Sequence, residues 1–385
     1  MDNLRLEQLA LTDFRLHQSL TLEFAPQTTL IIGPNASGKT AIIEAIYMAG
    51  TGGSFRAGKI EEMIRFDQEL ARVNLEIRND GHFRHPSVSA EGSESQDRMV
   101  EREKDSKTNL DILEVLLTRG VVQGRKTQYR LFSINEVKKR KKDFIGRFQP
   151  VLFRPEDMRL VEGSPTRRRS FLDQVLSPLF YEYRVSLKTY ENTLKRRNRL
   201  LWAVREGEQS PRVLQFWNLS LIKNGTLIQD YRKRFLESFD KINSPFDYQV
   251  EYLPKVISES RLARYLEREI ASGHSLIGPH KDDFRVLFYR QDQTLVDKSM
   301  LLDVATYGSR GQQRLAVLWL KLGQGAYLES NTDQSTIWLL DDILSELDKN
   351  SRQLVLELIK NKQAIITSAS KKVVDLVSAE KIIQL

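Results

Sequence analysis

Apolar residues at spacing two open the chain: Leu4 and Leu6, Leu9 and Leu11, then Leu20, Leu22 and Phe24 after a polar break. This alternation predicts strands with one covered face. Leu30-Ile31-Ile32 is wholly apolar, as in a buried strand, and leads directly into a glycine-rich loop. Beyond the loop, Ala41, Ile42, Ala45, Ile46 and Ala49 recur at helical spacing until Gly50-Thr51-Gly52-Gly53 stops the helix. Residues 81–108 are polar and read as a mobile loop or hairpin excursion, and 111–117 as a short helix. From 165 to about 265 the pattern becomes helical. Phe171, Val175 and Leu179, then Leu187, Tyr190 and Leu194, mark amphipathic helices with a basic face. Strand patterns return at 284–288, 337–340 and 364–366. No fixed-period repeat or long heptad run is present, so neither a solenoid nor a long coiled coil is expected. The expected fold is α/β, with one lobe from residues 1–160 and 276–385 and a mainly helical second lobe inserted at 162–275.

A chain of 385 residues can bury a substantial core in more than one domain. It contains no cysteine, which excludes disulfides and thiolate zinc sites and fits a reducing cytosol. No apolar run of 18 residues and no secretory leader is seen, so a soluble, cytoplasmic protein is expected. Lys and Arg number 59 against 51 Asp and Glu, a net charge of +8. Residues 125–169 alone hold fourteen cations and five acids, so one segment carries the whole excess. A localised basic stripe is the footprint of a polyanion binder.

The loop Gly33-Pro34-Asn35-Ala36-Ser37-Gly38-Lys39-Thr40 fits the phosphate-cradling pattern G-x4-G-K-[ST], and it stands between a strand and a helix as that pattern requires. Its glycines admit backbone N–H groups to phosphate, and the helix N-terminus adds a favourable dipole. Lys39 is expected on the β- and γ-phosphates of ATP and Thr40 on Mg²⁺. The apolar run ending Leu340-Asp341-Asp342 places Asp341 to hold the same ion, beside the loop strand, and Asp342 to orient or deprotonate water. Gly308-Ser309-Arg310-Gly311-Gln312-Gln313 precedes an apolar helix. It resembles the ABC signature, with Arg310 in place of a glycine, and Ser345-Glu346-Leu347-Asp348 resembles a D-loop. In that class the signature of one copy, here Ser309, Arg310, Gly311 and Gln312, meets the γ-phosphate held by another.

Further segments narrow the match. Asp13-Phe14-Arg15 resembles the opening of SMC-like DNA ATPases. The P-loop running into Glu44-Ala45-Ile46-Tyr47, Arg154-Pro155-Glu156-Asp157, Gly163-Ser164-Pro165-Thr166-Arg167-Arg168-Arg169, Lys195-Arg196-Arg197-Asn198 and Gly278-Pro279-His280-Lys281-Asp282-Asp283 resemble the RecF family over essentially the whole chain. The resemblance implies a DNA-repair protein of the bacterial cytoplasm that binds single- and double-stranded DNA at gaps or junctions. It further implies ATP-dependent dimerisation, slow DNA-dependent hydrolysis, help to RecA loading with RecO and RecR, and a link to the SOS response. A Q-loop glutamine near Phe153-Arg154-Pro155 and a histidine after residues 364–366 are missing, which favours ATP as a dimer latch over ATP as fuel.

DNA contacts are expected from the run Lys138, Lys139, Arg140, Lys141 and Lys142, from Arg167 and Arg168 near a helix start, and from Lys195, Arg196 and Arg197, with Tyr190 or Trp202 available for stacking. No zinc finger or recognition helix is evident, so binding is expected to ignore sequence. His82 and His85 lack a third ligand and read as incidental, and His280 has no assigned role. Two rivals remain: an ABC subunit driving membrane transport, and an SMC-like clamp or adaptor that uses ATP only to hold its partners.

Overall fold

A computed structural model describes residues 4–79, 110–241, 246–289 and 301–385. In chain order the main elements are β1 (Leu4–Phe14), β2 (His17–Glu23), β3 (Thr28–Ile32), α1 (Lys39–Thr51), β4 (Leu70–Asn79), β5 (Leu110–Thr118), β6 (Arg130–Ile134), β7 (Val137–Lys139) and β8 (Pro150–Phe153). There follow α2 (Pro165–Leu179), α3 (Tyr181–Arg205), α4 (Leu214–Glu237), β9 (Tyr248–Leu253), α5 (Glu259–Ser272), β10 (Asp283–Tyr289) and β11 (Leu301–Asp303). The chain closes with α6 (Arg310–Thr332), β12 (Ile337–Asp341), α7 (Lys349–Ile359), β13 (Gln363–Ser368) and β14 (Lys381–Gln384).

The chain divides into two compact units, one of Met1–Asp157 with Gln324–Leu385, the other of Met158–Gly323. Among the described residues the first holds two large sheets and a two-stranded ribbon, in which Val121–Val122 pairs with Arg125–Lys126. An antiparallel sheet runs β2-β1-β4-β5-β6-β7, and a parallel sheet runs β8-β12-β13-β3-β14. The opening alternation shifts phase between Leu6 and Leu9 because β1 carries a bulge between Leu6 and Gln8. All four leucines, Leu4, Leu6, Leu9 and Leu11, are thereby buried. Gln363 joins the sheets: its side-chain amide accepts from Leu6 N at 2.7 Å and donates to Leu6 O and Ala25 O. The face of α1 carrying Ile42, Ile46 and Ala49 is packed into the same core.

The segment 111–117 is a strand, not a helix. Leu113, Val115 and Leu117 alternate inward, and β5 pairs along its length with β4 and β6. The partners decided it, since an isolated seven-residue apolar stretch does not distinguish the two periods. The polar stretch 81–108, with His82 and His85, lies outside the described residues.

The second unit contains α2 to α5 and the antiparallel sheet β9-β10-β11. Residues 276–323 therefore group here, whereas the return of strand patterns after residue 275 predicts them in the ATPase lobe. β10 draws them in by pairing with β9 through six consecutive residues, from Asp283↔Leu253 to Phe288↔Tyr248. Its hub is Asp282, which is fully buried. Asp282 accepts from Gln229 Nε2, Arg232 Nη1, Tyr252 Oη and the backbone N of Lys255. Four donors compensate the cost of burying the charge.

Candidate functional site

The nucleotide-type site lies in the first unit, where β3 ends and α1 begins. Gly38, at φ 99°, precedes the helix, and Ala36 (φ 67°) is also left-handed. A side chain at Gly38 would collide with the ring of His17, which lies behind the loop with Nε2 3.3 Å from Gly38 O. Gly33 is tight for a different reason, since an added Cβ would come within 2.6 Å of Ser37 Oγ and 3.1 Å of the Leu385 carbonyl. Glycine is required at Gly38 for the loop to keep its curl.

Lys39 is buried and its Nζ donates to Gly33 O and Pro34 O, both at 2.7 Å. The ammonium therefore rests against the loop it would leave for phosphate. Among the described residues Ser37 Oγ has no partner although it is buried, so the loop holds an uncommitted hydroxyl. Thr40 Oγ1 donates to Asp341 Oδ1 at 3.1 Å, 301 residues away in sequence. The same oxygen accepts from Thr367 Oγ1 at 2.8 Å. Burial pushes the Asp341 carboxyl up, and the hydrogen bonds from Thr367 and Thr40 oppose that shift. These residues fit a triphosphate with Mg²⁺: a hydroxyl and one carboxylate side by side, phosphate donors adjoining, and room for waters.

β12 is not adjacent to the strand that feeds the loop; β13 lies between them. Asp341 pairs in register with Thr367 on β13, so a threonine occupies this strand end, and the chain continues Ser368-Ala369 with no histidine. Asp342 is held left-handed (φ 51°), with its backbone N donating to Thr367 and its carboxylate accepting from Ser345 Oγ at 2.9 Å. Gln149 sits at the far end of β8, and Arg154 follows the near end. Arg154 is 3.6 Å from Asp157 and 4.6 Å from the centre of the Phe55 ring. A cleft of about 930 Å³ joins Asn35, Ala36, Gly38, Lys39, Thr40, Asp341 and Asp342. It also takes in Arg15, Arg56, Phe66 and Arg119, which the motifs did not mark as site residues. An arginine or aromatic in an ordinary strand or loop carries no sequence signal of facing a cleft.

In the second unit, Ser309, Arg310 and Gly311 are exposed and Gln312 is partly so, at the start of α6. Gln312 N donates to Ser309 Oγ (3.3 Å), and Ser309 N donates to Gln312 Oε1 (2.8 Å). This is a reciprocal capping box.

The expected DNA contacts separate into two groups. Lys138 and Lys139 are exposed on β7, an edge strand, followed by Arg140, Lys141 and Lys142; Arg140 pairs with Asp143 at 3.0 Å. Arg167, Lys195 and Arg196 are exposed, with Arg196 over the Trp217 ring at 5.3 Å. Arg168 is occupied. It chelates both oxygens of Asp283 at 2.6 and 2.9 Å and donates to two carbonyls. Arg197 is fully buried on Glu269 (2.6 Å) with Ser275 and Asn218. Tyr190 is buried on His280 and Trp202 is half exposed. Arg168 spends four of its five N–H donors on Asp283 and two carbonyls, Arg197 spends three while fully buried, and the Tyr190 hydroxyl is held by His280, so these three are engaged inside the fold. Among the described residues no helix is long and apolar enough to cross a membrane.

The family described as RecF/RecN/SMC N terminal domain matches residues 5–385. The DNA replication and repair protein RecF of Roseiflexus castenholzii is 31% identical, over 96% of this chain and 94% of its own. That of Bacillus cytotoxicus is 31% identical, over 95% and 92%. Among solved structures, the recombination mediator protein RecF with ATPrS, in the RecFOR pathway, aligns at a TM-score of 0.80 and 26% identity, covering 100% of this chain and 96% of that one. The corresponding RecF–ATP structure aligns at 0.75 and 26%. Motifs, fold and full-length similarity converge: the chain belongs to the RecF family of ABC-type ATPases.

Proposed function

We propose that the chain is an ATP-dependent DNA-binding protein of recombinational repair, in which ATP binding closes two copies into a dimer. The observation that carries this is the Thr40–Asp341 contact beside the Lys39 loop, which brings the two separated nucleotide motifs to one point. Lys39 exchanges its two carbonyls for phosphate oxygens. Thr40 and Asp341 would hold Mg²⁺, which would supply charge neutralisation to the phosphates. Asp342, fixed by Thr367 and Ser345, orients the attacking water. Ser309, Arg310, Gly311 and Gln312 offer a helix N-terminus to the γ-phosphate held by a second copy. The missing glutamine and histidine support slow hydrolysis that times the release of the dimer.

The exposed cations Lys138, Lys139, Arg167, Lys195 and Arg196, together with Arg140, Lys141 and Lys142, support contact with DNA phosphates, single- or double-stranded and without base readout. Family membership supports a cytoplasmic role with RecO and RecR in assisting RecA, linked to the SOS response, with DNA stimulating a weak ATPase. Light scattering tests the latch. ATP with Mg²⁺ doubles the mass; ADP, or no nucleotide, leaves the monomer. The same mass under all three conditions refutes it.

A further inference from the structure

In the second unit, α3 and α5 run side by side in the same direction. Arg197 meets Glu269 at 2.6 Å, Ser275 N donates to Asn198 Oδ1 at 2.9 Å, and a Cβ at Gly273, just past α5, would lie 3.8 Å from Trp202 Cδ1 and 3.5 Å from Arg205 Nη1. At about 100° per residue, Arg261, Arg264 and Arg268 fall within about 60° on one flank of α5. On α3, Lys188, Lys195, Arg199 and Trp202 fall within a similar arc, on the side away from buried Arg197. Two parallel right-handed helices with these offsets open both stripes onto one face.

The face is cationic and not internally neutralised. Lys188, Lys195, Arg199, Arg264 and Arg268 are exposed, and Arg261 is partly so. Among the described residues no carboxylate pairs with Lys188, Arg199, Arg261, Arg264 or Arg268; Arg268 instead lies over the Tyr265 ring at 5.5 Å. Glu191 and Glu206 are acids beside the α3 stripe and Glu267 is one beside the α5 arginines; Glu206 is taken up by Arg205, and burial, then Asp173, push the Glu191 carboxyl up against the pull of Lys195. Trp202 is 50% exposed, with half of its indole open to solvent at the C-terminal end of the α3 stripe.

We propose that this face binds a segment of single-stranded DNA, with phosphates along the α5 arginines and the α3 cations and a base stacked on Trp202. A row of cations tracks a backbone of any sequence, and an aromatic plane distinguishes an unstacked base from a paired one. The assignment rests on the DNA-binding reading above, and it moves the second-unit contact from Arg197, which is buried, to Arg264 and Arg268.

The test is fluorescence anisotropy of a labelled oligothymidine and a duplex hairpin at two salt concentrations, using the full chain. R264E/R268E lowers single-strand affinity at least about tenfold and flattens the salt dependence by about 1.4 in log–log slope, two phosphate contacts' worth. Trp202→Ala weakens the single strand about tenfold and leaves the duplex unchanged, while Trp202→Phe keeps affinity within about threefold of the parent. Unaltered melting temperatures and ATP-induced dimerisation show that the variants are folded. Parental affinity and slope in R264E/R268E overturn the proposal, as does equal loss on duplex and single strand in Trp202→Ala. If the parent chain binds neither probe, it is the DNA-binding reading itself that fails.

Discussion

At the scale of single residues, the chain stores unfavourable charge where chemistry needs it. Asp341 is buried, its carboxyl raised mainly by desolvation. A raised folded pKa means that stability is lost as pH climbs past the unfolded value and the buried group must ionise. Asp341→Asn is therefore expected to melt higher than the parent at pH 7 without nucleotide, while hydrolysing ATP at least about 100-fold more slowly. Calorimetry with a phosphate-release assay reads both, and a lower melting point sinks the account. Arg197 shows the opposite case. Its partner Glu269 is also fully buried, and Arg197→Ala would strand that carboxylate at a cost of about 3–5 kcal/mol. Denaturant titration checks this. A loss of DNA affinity with stability intact would show that Arg197 reaches DNA after all.

At the scale of elements, one short sequence serves two ends. Ser309 and Gln312 cap α6 reciprocally, and in the proposed dimer the same N-terminus would face a second copy. Ser309→Ala removes one capping bond, costing about 1 kcal/mol, and also removes a donor to the γ-phosphate. The two effects separate by readout: melting falls by a few degrees, whereas the ATP concentration for half-dimerisation in light scattering rises at least about tenfold. A variant that melts lower but dimerises at the parental ATP concentration confines Ser309 to capping. The cations of β7 are similarly double. Lys138 and Lys139 on an exposed edge strand discourage pairing with another sheet, whatever they do with DNA.

At the scale of the whole molecule, the second unit depends on a neutral histidine. His280 Nε2 donates to Ser275 O at 3.0 Å, so Nδ1 accepts from Tyr190 at 2.7 Å. Burial first, then Lys281 and Arg169, depress it to about 4, against the pull of Ser275 and Asp282. Because the folded pKa lies below the unfolded value, this stability is complete above about pH 6.5 and drains as pH falls toward 4. Between pH 7 and 4.5 the parent should lose about 2 kcal/mol through this group alone. His280→Gln should show a correspondingly shallower fall in urea titrations at the two pH values; identical slopes would refute the assignment.

Local chemistry sufficed for the loop from Gly33 to Thr40, the helix after it, Asp341 at a strand tip and the absence of a long coiled coil. Each depends on short-range requirements: a curl only glycine permits, a helix period, a polar end to an apolar run. Chain-distant packing decided the rest. Residues 111–117 became a strand because β4 and β6 flank them, and β13 came between the two nucleotide strands through parallel pairing no local pattern announces. Arg168 and Arg197 look in sequence like their neighbours Arg167 and Arg196. Only the fold brings Asp283 and Glu269 to the first pair, and a cation's availability is set by the partner that reaches it across 115 and 72 residues.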